Sequence, residues 1–248
     1  MDIKKVYEDG NVTKYLVKGT NYTFMNTIRR TIMINVPCLA IEEVQMYEND
    51  SPVFDEMLAN RLGLLPIKTD VKTYKKGDTV KLVLEKTGPA IVTSKDIKCT
   101  DPKIEILDKK IIITKLGKDQ NLKIEMTATM KTGEEHVRYQ PAIVSYNEVM
   151  EIKNDKNYDT KEIVAKMPKG SIDSKAGKLF FSDPYNVENQ NQHVDILRKF
   201  GVEVEYSKTD FILSIESTGQ LTAKEVLDSA VTQLTEQLEE LDKEIKKL

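Results

Sequence analysis

"NYTFMNTIRRTIMINVPCLAIEEVQMYEN" (residues 21–49) changes its apolar rhythm once, at a proline. Before Pro37 the apolar residues recur at spacings of three and four, which predicts an amphipathic helix over 21–36. The helix must stop there, because the residue preceding a proline is driven out of the helical region. Beyond it, "LAIEEVQMYEN" (39–49) predicts a strand. "SPVFDEMLANRLG" (51–63) then predicts a short helix with Ser51 as N-cap, Pro52 at its first position and Gly63 just past its end.

Working outward, "IKKVY" and "VTKYLV" flank the turn Glu8-Asp9-Gly10-Asn11 and predict an N-terminal hairpin. From about 78 to 166 the pattern is mostly β. "TVKLVLE", "PKIEIL", "KIIITKL" and "NLKIEMTATM" alternate or carry β-branched runs between Gly, Asp and Pro. In the last of these Leu122, Ile124, Met126, Ala128 and Met130 share one face, which predicts burial of that face. "NVENQNQHVDILRKFG" predicts a helix ending at Gly201, and "VEVEYSKTDFILSIES" (202–217) a hairpin around Ser207-Lys208. For this mixture of helices and strands an α+β fold class is expected.

The C-terminal stretch carries the strongest local signal. Thr222 and Glu225 form a capping box, and a helix follows to the end. Leu227, Leu234, Leu241 and Leu248 recur every seven residues, with Val231, Leu238 and Ile245 between them, which makes an a/d seam of three heptads. Such a seam buries itself either on its own domain or against a partner helix. "EELDKEIKKL" is charged on every face except the seam, which favours a partner for the distal half. Each leucine fully buried there would contribute roughly 1.5–3 kcal/mol.

The chain has 248 residues, enough for one large or two ordinary domains, and 40% hydrophobic with 31% charged residues places it among globular proteins. With 37 basic against 40 acidic residues, no global field points to nucleic acid or a membrane. Residues 68–131 nevertheless hold 15 Lys and no Arg against nine Asp and Glu, a surplus of six. That surplus reads as a solubilised β surface or as a phosphate-binding face. Cys38 and Cys99 are the two cysteines and lack CxxC spacing, so neither a disulfide framework nor a thiolate-rich metal site is expected. The opening MDIKK has no apolar h-region, and the longest nearly apolar run, "IMINVPCLAI", is about half a membrane span. A soluble cytoplasmic protein is expected.

Catalytic machinery is not legible. His136 and His193 lack a nearby nucleophile or ligand partner, and His136 reads as a structural residue ahead of a strand. "KTGPA", "MPKGS" and "KAGK" match neither GxxxxGK[ST] nor GxGxxG, and no acidic cluster suits two Mg²⁺ ions. Arg29 and Arg30 remain as the unusual pair. At about 100° per residue, Phe24, Met25, Ile28, Ile32 and Val36 fall on one arc, with Arg29 at its margin and Arg30 on the far side beside Asn26. Arg30 is then free to meet a carboxylate on another chain through its planar fork, unless both arginines are simply solvated.

Residues 21–67, together with "HVRYQPAIVSY" (136–146) and "FILSIESTGQLTAKEVLDSAV" (211–231), resemble the RNA polymerase α family, whose eukaryotic branch is the third-largest subunit of polymerase II. The N-x-x-R-R core, the proline after it, "EEVQM" and "DEMLANRLGLLPI" carry the likeness, and "ANRLGLLPI" and the length are similar to the archaeal branch.

This resemblance implies a discontinuous dimerisation domain (1–47 and 202–248), a mainly β insert domain (48–166) and a shortened remnant (167–201) of a ferredoxin-like insertion. It implies pairing with the small α-like subunit of the archaeal enzyme through Phe24, Met25, Ile28, Ile32, Leu227, Val231, Leu234, Leu238, Leu241 and Ile245. It further implies docking of the second-largest catalytic subunit near Arg29 and Arg30, and of small zinc-binding subunits, with DNA met only indirectly and no chemistry of its own. Many archaeal relatives carry iron–sulfur cysteines in the insertion, whereas "FSDPYNVENQNQHVDIL" (181–197) contains none. A cluster needs about four thiolates, so no iron–sulfur cluster and no other cofactor is expected. Two rivals stay open: a free-standing dimeric scaffold, and a weak nucleic-acid-binding module using the lysine-rich insert.

Overall fold

The computed structural model describes residues 1–156, 158–185 and 190–247. Its first elements are the expected hairpin, β1 (Asp2–Asp9) and β2 (Val12–Lys18), paired antiparallel with an irregularity between Lys5 and Tyr7. Helix α1 (Tyr22–Ile34) starts where the Asn21 Oδ1 accepts the Phe24 N–H at 2.9 Å, capping its first turn. β3 (Pro37–Asn49) follows, then α2 (Asp55–Gly63).

β4 (Thr79–Thr87), β5 (Ala90–Thr93), β6 (Ile97–Cys99), β7 (Ile112–Leu116) and β8 (Asn121–Thr132) come next. A 3-10 turn at Val137–Tyr139 leads into β9 (Ala142–Ile152). Beyond it lie α3 (Thr160–Lys166), the hairpin of β10 (Ile172–Lys175) and β11 (Lys178–Phe181), α4 (Gln190–Lys199), β12 (Val204–Ser217) and α5 (Ala223–Ile245). The fold is α+β: two four-stranded sheets, ordered β1-β2-β12-β9 and β3-β8-β4-β6, and two two-stranded ones, β10-β11 and β5-β7.

Several expectations need correction. Ser51 does not cap α2. Its hydroxyl turns back to Asn49 Oδ1 at 2.7 Å, and the helix begins four residues later with Phe54 at the cap. "PKIEIL" makes only an isolated bridge between Ile106 and Ile67, because Ile104 and Ile106 turn into the core rather than lining up in a ladder. Residues 202–217 form no hairpin. β12 continues through Ser207-Lys208, where the Ser207 hydroxyl takes the N–H groups of Thr209 and Asp210, so the local polar signal is absorbed without a reversal. The first four residues of the expected 186–201 helix lie outside the described residues, as does Leu248, the last leucine of the seam.

The chain divides into two compact units, 1–29 with 144–215 and 30–143 with 216–248. This differs from the implied cut for two physical reasons. β3 pairs along its length with β8, and the chain from Arg30, within α1, goes with the β-rich unit. The expected remnant, 167–201, shares one apolar core with the ends of β9 and β12: Met150, Ile163, Met167, Ile172, Leu179, Phe181, Val194, Leu197 and Val202. In the β-rich unit Leu122, Ile124, Met126, Ala128 and Met130 are all buried, packed with Val80, Leu82 and Leu84 of β4 and Leu58 and Leu62 of α2. That face was legible from its alternation.

Candidate partner-binding surfaces

The capping box of α5 forms as expected: the Glu225 N–H meets Thr222 Oγ1 at 3.3 Å, and the Thr222 N–H meets Glu225 Oε2 at 2.9 Å. The 23-residue helix spans about 35 Å at 1.5 Å per residue. Its fully buried residues are Ala223, Val226 and Ala230, a short row beside the heptad seam. Leu227 and Leu234 are half-buried, and Val231, Leu238, Leu241 and Ile245 are 55%, 66%, 57% and 58% exposed. An aliphatic stripe of this length facing water is unusual, since soluble surfaces scatter such residues singly.

α1 behaves differently. Met25, Ile28 and Ile32 are at most 6% exposed, so the chain itself covers the apolar arc, and only Phe24 of the four α1 residues implied for dimerisation reaches the surface. Spacing alone cannot tell an arc that meets a partner from one that meets its own core. The start of α1 is anchored by Tyr22, whose hydroxyl donates to Glu148 Oε1 at 3.1 Å and whose ring stands edge-on to Phe211 at 5.0 Å. The carboxylate acceptor raises the Tyr22 phenol above its usual range.

The two arginines separate in role. Arg29 is half-buried and donates from Nε (3.3 Å) and Nη2 (2.9 Å) to Asn26 Oδ1. Asn26, one turn before Arg30 on the same helix, holds Arg29. Arg30 is exposed and pairs with no described residue.

A surface that sequence reasoning missed lies on and around α2, where Phe54, Met57 and Leu64 are exposed at helical spacing. Arg61, on the same face, donates to the carbonyl of Ile112 at 2.5 Å. The signal was present as 54, 57, 61, 64, but the misplaced cap hid it.

The lysine-rich strands carry ion pairs, two of them across strands and one to the turn at Ser94–Asp96. Lys81 meets Glu125 at 2.6 Å, Lys86 meets Asp96 at 2.6 Å, and Lys131 bonds Glu42. These partners consume charge that a phosphate-binding face would need. His136 Nδ1 accepts both the Arg138 backbone N–H (3.1 Å) and its Nε–H (3.2 Å), and Arg138 Nη1 reaches the Ile41 carbonyl at 2.9 Å, which ties the 3-10 turn to β3. Burial pushes the Cys38 thiol up to about 12, and Cys38 and Cys99 both belong to the β-rich unit, whereas residues 167–201 belong to the other. Among the described residues no three His, Cys, Asp or Glu side chains converge as a metal site, and no helix is long and apolar enough to cross a membrane.

Comparison with known proteins adds to this geometry. Residues 40–158 match the model of the RNA polymerase Rpb3/RpoA insert domain. The whole chain is similar to proteins named DNA-directed RNA polymerase subunit Rpo3. That of Methanopyrus kandleri is 30% identical over 250 residues, covering 94% of this chain and 91% of the relative. That of Picrophilus torridus is 33% identical over 258 residues, covering 93% and 94%. That of Pyrococcus furiosus is 29% identical over 253 residues, covering 95% and 93%.

Proposed function

The chain belongs to the archaeal Rpo3 family of DNA-directed RNA polymerase subunits, and from that membership we propose that it serves as a non-catalytic assembly platform of the enzyme. It pairs with the small α-like subunit, and it docks the second-largest catalytic subunit and small zinc-binding subunits. It holds no iron–sulfur cluster, meets DNA only through the assembled enzyme, and works in the cytoplasm.

One observation carries this reading: the exposed aliphatic seam of α5, which the chain's own core leaves uncovered. The pairing surface is narrower than the resemblance implied, because it excludes Met25, Ile28 and Ile32. Of the two arginines, Arg30 is the one available to a carboxylate of the catalytic subunit, with Arg29 held by Asn26. The absence of a cluster is supported by the sequence of 167–201, which offers no thiolate, and by the apolar core that binds those elements together. The ion pairs of these lysines weigh against a nucleic-acid-binding module.

The test is mass spectrometry of what co-purifies with the tagged chain from its native cells after a high-salt wash. A small α-like subunit in one-to-one ratio supports the platform. The chain alone, or as a homodimer free of polymerase subunits, refutes it.

A further inference from the structure

Charge is distributed unevenly about the seam of α5, and the unevenness selects the partner. In heptad order Val231, Leu238 and Ile245 occupy position a, and Leu227, Leu234 and Leu241 position d. β-Branched residues at two of the three a positions, with leucine at every d, suit two-stranded pairing, so the seam calls for one further helix. The flanking e positions are Asp228, Thr235 and Asp242, and the g positions are Ala230, Gln237 and Glu244. Asp228, Asp242 and Glu244 are not buried, and neither flank carries a lysine or arginine. Lys243, Lys246 and Lys247 stand at f, b and c, away from the seam. Lys246 and Lys247 do reach Asp242 and Glu244, each at 2.5 Å, but every member of these pairs is at least 60% exposed, and such pairs exchange readily for others.

We infer that α5 receives a single partner helix with aliphatic a and d positions and Lys or Arg on its flanks, and that a second copy of α5 is not that helix. The inference rests on the platform reading and adds the chemistry of the partner. In a parallel pair of α5 helices Gln237 faces Asp242 and no basic residue faces an acid. In an antiparallel pair Asp228 of one copy comes opposite Asp242 of the other. Like charges so placed oppose self-pairing, while basic flanks on a partner complement the acids at the two ends of the seam, Asp228 at one and Asp242 with Glu244 at the other.

The full chain is titrated with two synthetic helical peptides that share an Ile/Leu seam and differ only in having Lys or Glu at every e and g position. At roughly twofold per exposed pair, three flank positions favour the Lys peptide about tenfold at low salt. The gap closes near 1 M salt, where the Debye length falls to about 3 Å. The variant D228K/D242K/E244K, altered only at flank positions outside the core, reverses the preference. Equal binding, tighter binding of the Glu peptide, or a homodimer of the wild-type chain that Leu238→Asp abolishes would each overturn the inference. If the small subunit co-purifies but the peptides bind alike, the partner chemistry fails and the platform stands. If the Lys preference holds and no polymerase subunit co-purifies, the platform fails and the partner chemistry stands.

Discussion

A Cβ on Gly133 would lie 2.0 Å from the carbonyl oxygen of Met33, so the turn after β8 and the last turn of α1 approach as closely as backbones can. The Glu134 N–H donates to the Ile34 carbonyl at 3.1 Å across the same junction, satisfying an acceptor that the end of the helix leaves unpaired. The contact fixes where the C-terminal end of α1 sits on the β-rich unit. Gly133→Ala must push backbone against backbone, since no side chain there can rotate away. A loss of about 2 kcal/mol or more is expected in chemical denaturation.

Leu238 and Leu241 are exposed, whereas Ile32 is fully buried. Leu238→Asp and Leu241→Asp should therefore leave the melting temperature of the isolated chain within about 2 °C, a surface-sized effect, and abolish recovery of the small subunit. Ile32→Asp should leave no folded chain to assay. Thermal melts beside pull-downs check both.

Arg30→Glu should weaken retention of the catalytic subunit at moderate salt without lowering the stability of the isolated chain, because Arg30 pairs with no described residue in it. Arg29→Ala removes a guanidinium already committed to Asn26 and should do the converse: a small stability loss with retention preserved. The salt concentration at which the catalytic subunit elutes separates the two.

The Lys131 ammonium holds the Glu42 carboxyl below its ordinary value of about 4.3, against the burial that would raise it. A carboxyl lowered in the folded state contributes stability above its unfolded pKa and loses it as pH falls through the folded one. Wild type should therefore exceed Glu42→Gln in stability at neutral pH, and the difference should shrink as pH falls below about 4.3 and vanish once pH has passed below the lowered folded pKa. Lys131 is raised by the same partner, so its share is lost only as pH climbs beyond the ordinary lysine range. Denaturation midpoints of both proteins across pH give the comparison.

Thr69 closes part of the free edge of β3. Its Oγ1 accepts the Leu39 N–H at 3.1 Å and donates to the Ile67 carbonyl at 3.2 Å, while Gln220 Nε2 reaches the Leu39 carbonyl at 3.2 Å. Thr69→Val keeps the shape and orphans a buried donor, at a cost of about 1–3 kcal/mol. Thr69→Ser should recover most of it, as read by denaturant unfolding.

Elements whose signal is local were legible in the residues. The N-terminal hairpin, the stop of α1 at Pro37, the buried face of β8 and the capping box of α5 each arise from turn, cap or alternation chemistry confined to a few neighbours. Elements whose signal competes were not. Ser51 had a second partner in Asn49, Ser207 could bond its own backbone without reversing the strand, and the short β10–β11 hairpin depends on a core assembled from distant segments.

Sequence by itself determined that α5 carries a seam of aliphatic residues with acidic flanks, because heptad spacing is a property of a single helix. It equally determined the apolar arc of α1, but not what that arc meets. Only the tertiary structure decided that Met25, Ile28 and Ile32 are consumed by the chain's own core while Val231, Leu238, Leu241 and Ile245 remain in water. The physical reason is that periodicity says which side chains share a face, and burial depends on what the rest of the chain brings to cover it.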